Sequence, residues 1–257
     1  MSGAAERADF AVEPGPFDLG DGAVGVLCVH GLTGQPYEVR PIAEALVREG
    51  MRAVGPFLAG HEDALEPESL MRVRREEWLS GVRRAYRDLR RDHETVMVAG
   101  LSLGGLLSLA LAAEEPVDAL AVIGVPLALR FPIPQLVPWL RRALPSVPKR
   151  RGSDIQDTEA RARHPGFDVM PLNAVHELIL LQRHVRASLA RIDTPILIAH
   201  GALDTTANPA DARVIESRVS SARRELMFLP NSGHIVPVDR DGPALAEAIC
   251  GFFSGLA

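Results

Sequence analysis

Long hydrophobic runs are missing from this 257-residue chain. None approaches the roughly 18–20 consecutive apolar residues that span a bilayer, so no transmembrane segment is expected. The first residues, Met1 to Asp9, also lack the apolar stretch of a secretory signal. Cysteine is nearly absent: Cys28 lies in an apolar strand-like run and Cys250 in a late helix-like run. Without metal-type spacing they read as two buried thiols rather than a disulfide, and a reducing cytoplasm is the expected location. Large basic blocks are lacking as well. The formal net charge is −5, and the short cluster Lys149-Arg150-Arg151 reads as a solvated loop, so nucleic acid is not an expected partner. There is no internal repeat and no low-complexity tract. None of the eight histidines forms a metal-type pair, so neither a metal nor an organic cofactor is implied.

What remains is a composition typical of a folded protein, 47% hydrophobic and 24% charged, in a chain long enough for one substantial domain over residues 1–257. Apolar runs alternate with amphipathic ones. Val24–Val29, Arg52–Gly55, Thr95–Ala99, Ala119–Ile123, Pro195–Ala199 and Glu225–Leu229 read as strands. Between them, helical spacing marks Pro41–Glu49, Arg74–Arg91, Leu106–Ala113, Ala210–Ser217 and Pro243–Phe253. Strands separated by helix-length segments predict an α/β fold with a mainly parallel central sheet flanked by helices. One stretch breaks this rhythm. Residues 126–171 hold eight prolines interleaved with Phe131, Ile133, Leu136, Val137, Trp139 and Leu140. A connection of that length is usually functional, and it reads as a small insertion with short helices at most, placed to cover a site. Its apolar run reads as the insertion's own packing rather than a lipid-docking face, with an acyl pocket beneath it as a further alternative.

Gly100-Leu101-Ser102-Leu103-Gly104 fits G-x-S-x-G between a strand and an apolar helix, the setting of a nucleophile elbow. A serine hydroxyl needs a neighbouring base oriented by a carboxylate. His234, in Asn231-Ser-Gly-His, follows the last strand, and Asp204, in His200-Gly-Ala-Leu-Asp, follows the strand before it. Both lie at C-terminal strand ends, where open α/β sheets place their sites. Asp211 and Asp239 are rivals for the carboxylate role. Asp211 lies within the following helix as a solvated charge, and Asp239 reads as a capping or loop carboxylate. The backbone N–H of Leu103 is one candidate oxyanion donor, and that of Leu32, in His30-Gly-Leu-Thr-Gly34, is the second.

These segments together resemble the α/β-hydrolase superfamily across essentially the whole chain, and within it the compact bacterial carboxylesterases and monoacylglycerol lipases. The resemblance rests on His30–Gly34, Gly100–Gly105, Asp204 and Ser232-Gly233-His234 in order. It implies an α/β-hydrolase fold with a small cap, and a serine esterase acting on short- to medium-chain acyl esters, a small-molecule substrate. Ser102, Asp204 and His234 would be its catalytic set. A monoacylglycerol lipase, an acyl thioesterase, or a non-catalytic ligand-binding relative of the fold are the alternatives. The H-G-G-G motif of another esterase branch is absent, and the insertion is richer in proline and arginine than the subgroup's pattern. Of the other histidines, His30 is expected to hold its loop, His200 to be packed at a strand end, and His61 to stabilise a loop or line the pocket. His164, His176 and His184 receive no role.

Overall fold

The computed structural model describes residues 13, 15–62, 67–129, 132–149 and 152–257. Met1 to Asp9, Phe131, Arg150 and Arg151 therefore lie outside the described residues. In chain order the elements are β1 (Phe17–Leu19), β2 (Val24–Val29), α1 (Arg40–Arg48), β3 (Arg52–Gly55), α2 (Pro67–Arg72) and α3 (Arg75–Asp92). Then follow β4 (Thr95–Leu101), α4 (Leu103–Ala112), β5 (Leu120–Ile123), α5 (Ile133–Leu140), β6 (Ser146–Pro148), α6 (Thr158–Arg163) and β7 (Val169–Pro171). The chain closes with α7 (Leu172–Ser188), β8 (Ile196–Gly201), α8 (Ala210–Arg218), β9 (Arg224–Leu229) and α9 (Gly242–Ser254).

Seven strands form one sheet in the order β1-β3-β2-β4-β5-β8-β9. All neighbours pair in parallel except β1, which runs antiparallel to β3 at the edge. The period-2 geometry of strands explains the two cores. Leu27, Val29, Val96 and Val98 point to one face, where they meet the buried residues of α3, α4 and α7. Val26, Cys28, Met97 and Ala99 point to the other, against α1 and α9. Because helices cover both faces, these strands are apolar without alternation. Helix α4 is buried along its whole length and is apolar all round, as a helix packed inside a core must be.

The excursion between β5 and α7 contains more regular structure than its prolines suggest. Helix α5 forms despite Pro134 and Pro138, and β6 pairs antiparallel with β7 in a separate two-stranded sheet. Pro134 lies in the first turn, where an N–H has no helical acceptor to lose. Among the apolar residues of α5 only Val137 is buried; Leu136 and Trp139 are 47% and 71% exposed. Internal packing thus accounts for Val137 alone. Asp211 also departs from expectation. It is half-buried, accepts the backbone N–H groups of Leu127 at 2.8 Å and Ala128 at 3.4 Å, and so anchors the start of the excursion.

Gly104 is where α4 and β2 come closest. A Cβ there would stand 2.1 Å from the backbone oxygen of Val29, which has no way to yield without breaking the β2–β4 pairing. Gly104→Ala is therefore expected to lower the unfolding free energy by about 1–3 kcal/mol, read as a lower urea midpoint at unchanged slope.

Candidate active site

Ser102 occupies the sharp turn between β4 and α4 at φ 55°, ψ −112°, a conformation that L-residues seldom adopt. Its N–H donates to Ile123 O at 2.8 Å, and its carbonyl accepts from Leu106 N–H at 3.0 Å. Main-chain bonds to β5 and α4 thus fix the turn while leaving the side chain free. The Ser102 hydroxyl donates to His234 Nε2 at 2.9 Å, and His234 Nδ1–H donates to Asp204 Oδ2 at 2.7 Å. The other carboxylate oxygen of Asp204 accepts the N–H groups of Thr206 and Ala207 at 2.8 and 2.7 Å. All three side chains are buried. The structure brings together the serine, histidine and aspartate singled out in the sequence, at the C-terminal ends of β4, β9 and β8.

The electrostatics follow from this geometry. Burial alone would raise the Asp204 carboxyl, but the His234 ring and the hydrogen bonds it receives hold it well below the usual carboxylate range. Burial also opposes the charged form of His234, yet the Asp204 carboxylate outweighs it and lifts the imidazole above its ordinary value of 6.5. His200 is packed, as expected of a strand-end histidine, with Nε2 only 2.9 Å from Asp204 Oδ2.

Leu103 begins α4, so its N–H has no acceptor within the helix and points beyond the N-terminus. Leu32 sits on the turn after β2 and lines the same cavity as Ser102 and His234. Glu38 shapes that turn, and the sequence reading passed it over. Its buried carboxylate accepts Gly31 N–H at 3.0 Å, and a Cβ at Gly34 would lie 2.1 Å from it. From the excursion, His164 Nε2 meets Glu38 Oε1 at 2.9 Å while its Nδ1 faces Ser153 Oγ at 2.8 Å. His30 and His61 both hold loops. Nε2 of His30 accepts Leu58 N–H at 3.1 Å, and Nε2 of His61 accepts Thr33 N–H at 3.2 Å. Burial drives the His61 pKa down to about 3, consistent with that acceptor role. Lys149 is not part of a solvated loop: it is half-buried, and Nζ donates to Thr33 Oγ1 at 2.5 Å. Glu38, His164 and Lys149 each find partners more than a hundred positions away, which no local pattern announces.

The cavity over Ser102 encloses about 690 Å³. Part of its lining is apolar, from Leu129, Ile133, Leu136, Val137, Leu172, Val175 and Leu178, and part is polar, from Thr33, Glu38, Lys149, Ser153, Asp154 and Thr206. Asp154 also braces the histidine, since its backbone oxygen accepts His234 N–H at 2.9 Å. Asp239, one rival for the carboxylate role, binds the N–H groups of Gln156, Asp157 and Gly233 at 2.8 Å each. It is a loop carboxylate that ties the excursion to the segment bearing His234. Both cysteines are free and buried, and burial pushes the Cys28 thiol up to about 12. No helix among the described residues is long and apolar enough to cross a membrane.

Removing the Asp239 carboxylate would strand those three donors. Asp239→Ala is expected to cost about 1–3 kcal/mol of stability by chemical denaturation, with Asp239→Asn losing less because one acceptor oxygen remains.

Comparison with known proteins agrees with this geometry. Residues 23–241 match the Hydrolase_4 family, described as "Serine aminopeptidase, S33". A thermostable monoacylglycerol lipase from Bacillus sp. (strain H-257) is 32% identical over 241 residues, covering 93% of this chain and 94% of that protein. A carboxylesterase from Bacillus subtilis (strain 168) is 26% identical over 246 residues, covering 95% and 98%. The solved structure described under LipS and LipT, two metagenome-derived lipolytic enzymes, superposes with a TM-score of 0.88 at 26% identity, covering 94% of this chain and 98% of that one. The chain belongs to the Hydrolase_4 family and is a serine hydrolase of the α/β-hydrolase fold.

Proposed function

We propose that the protein is a carboxylesterase that cleaves short- to medium-chain acyl esters through an acyl-serine intermediate. The observation that carries this reading is the hydrogen-bonded chain Ser102–His234–Asp204, whose serine and histidine line a cavity of mixed apolar and polar residues. In this mechanism His234 Nε2 takes the Ser102 proton as Oγ attacks the ester carbonyl. The N–H groups of Leu32 and Leu103 receive the oxyanion, each contributing on the order of 3 kcal/mol to the transition state. Asp204 holds Nδ1–H and balances the imidazolium. His234 then protonates the departing alcohol, and a water activated by the same ring releases the acid. Residues 126–171 form the cap, whose apolar wall suits the acyl chain and whose polar wall suits the alcohol. Two buried free thiols suit a cytoplasmic location.

A second reading, monoacylglycerol hydrolysis by the same residues, is favoured by the polar wall and by the 32% identical relative named as such a lipase. Matched glyceride, simple-ester and thioester substrates of one acyl length separate these activities.

The test is intact mass after exposure to a fluorophosphonate. One adduct on the wild type and none on Ser102→Ala, which should also lose ester turnover, is the expected result. A wild type that is never labelled would overturn the reading in favour of a binding protein. The reaction needs neutral His234, and its pKa lies above 6.5. The rate should therefore fall as pH drops through an inflection above that value. Asp204→Asn removes the main group that raises it and leaves burial opposed only by the more weakly acting Asp154 and Glu38 carboxylates. The residual rate, lower by about 10³–10⁴, should then keep its acid limb to a lower pH.

A further inference from the structure

We infer that Lys149 is a specificity residue that selects esters bearing an anionic oxygen group, a carboxylate or a phosphate, on the leaving-group side. This deepens the esterase reading and rests on it. Of the 28 basic residues in the chain, Lys149 is the one lysine, and it lines the cavity over Ser102. Every other basic position carries a broad planar guanidinium. Here the chain presents a compact ammonium with three rotatable donors.

One of those donors is committed. Nζ–H reaches Thr33 Oγ1 at 2.5 Å, and the Thr33 hydroxyl spends its own proton on Leu32 O at 2.6 Å, so it accepts from the lysine. Two N–H groups remain for a ligand. The neighbouring carboxylates do not absorb them. The Glu38 oxygens are taken by His164 Nε2 and Gly31 N–H. Asp154 Oδ2 receives the N–H and hydroxyl of both Thr205 and Thr206, at 2.8–3.2 Å. Among the described residues Lys149 has no ion-pair partner within 4.0 Å; Glu38 and Asp168 act on it only from longer range. Asp154 Oδ1 makes no hydrogen bond among the described residues, yet it is not within 4.0 Å of Nζ, so the polar lining holds carboxylates that do not pair with the ammonium. A buried charge is stable when paired, and an anionic oxygen on the alcohol supplies the missing partner. A purely hydroxylic alcohol gains less, because it brings no charge to pair with the ammonium.

The test compares three aryl butyrates that differ at one ring position of the phenol: a methyl ester, a free carboxylate and a phosphate. Each is assayed with wild type, Lys149→Met and Lys149→Gln, and every ratio is taken within one substrate, so differences in phenol acidity cancel. Gln can still donate to Thr33 while lacking the charge, and it serves if Met proves unstable. Loss of the ammonium should lower kcat/KM for the carboxylate or phosphate ester about 10–100-fold more than for the methyl ester, the scale of a charged hydrogen bond. The ester that loses more identifies the oxygen group. Equal losses on all three substrates would make Lys149 only a tether for Thr33, and no loss would make it a bystander; either result overturns the inference. If the wild type cleaves none of the three and Ser102 is not labelled by fluorophosphonate, the esterase reading itself has failed. Cleavage of the methyl ester with no charge-dependent loss defeats the lysine assignment alone.

Discussion

Everything at the site depends on holding Ser102 in a backbone conformation that it would leave if allowed. A non-glycine residue at φ 55°, ψ −112° carries strain of about 1–3 kcal/mol, and its side chain makes no capping hydrogen bond to α4 to offset it. The surroundings do. Ser102 N–H is committed to β5, its carbonyl to α4, and α4 itself is wedged between the sheet and the helices α3 and α7. Relaxing the turn would pull an entirely buried helix out of its contacts. The buried core is thus what keeps Ser102 raised above the sheet, and the strain is small beside the burial that enforces it.

The same sheet explains why residues 102, 204 and 234 meet. Strands β4, β5, β8 and β9 are consecutive in the sheet and all parallel, so their C-terminal ends lie along one edge. Each of the three side chains follows immediately after one of those ends. Once the elbow sets the height of Ser102, the loop after β9 need only lean inward over β5 for His234 to reach it. That lean is held by Asp239 and Asp241, which between them bind Gly233 N–H, Asn231 N–H and the Ser232 hydroxyl.

The sheet, the elbow and the order serine, aspartate, histidine were legible in the sequence because each depends on local pattern plus one rule of parallel sheets. Continuous apolar runs marked strands buried on both faces, and residues just beyond those runs had to be at one edge. What was not legible depends on pairs distant in the chain. Asp211 looked like an exposed helix charge because its partners, Leu127 and Ala128, lie more than eighty positions earlier. Lys149 looked solvated because its neighbours in sequence are arginines, whereas its neighbour in space is Thr33. The edge strand β1 and the pair β6–β7, three residues each, are too short to show a period, and the prolines of α5 imitate a loop.

The excursion over the cavity is more than a cover. Besides its ties to Asp239 and Asp211, it reaches the site through Asp154 to His234, through His164 to Glu38 beneath the turn after β2, and through Lys149 and Phe167 to Thr33 on that turn. Thr33 is itself at positive φ, so the turn that carries Leu32 is held by contacts from both sides rather than by its own preference. The residues that shape the substrate's polar wall are therefore the ones that fix the groups proposed to act on the ester. In such an arrangement a substitution on that wall that changes leaving-group preference also shifts the positioning of Leu32 and His234, a cost that falls on every ester alike. The apolar wall is free of this coupling, since Ile133, Leu136 and Leu140 line the cavity with no bond to the turn or to the histidine. Variation in acyl length should thus be tolerated more readily than variation in the alcohol, because only the second disturbs the hydrogen bonds that hold the reacting groups.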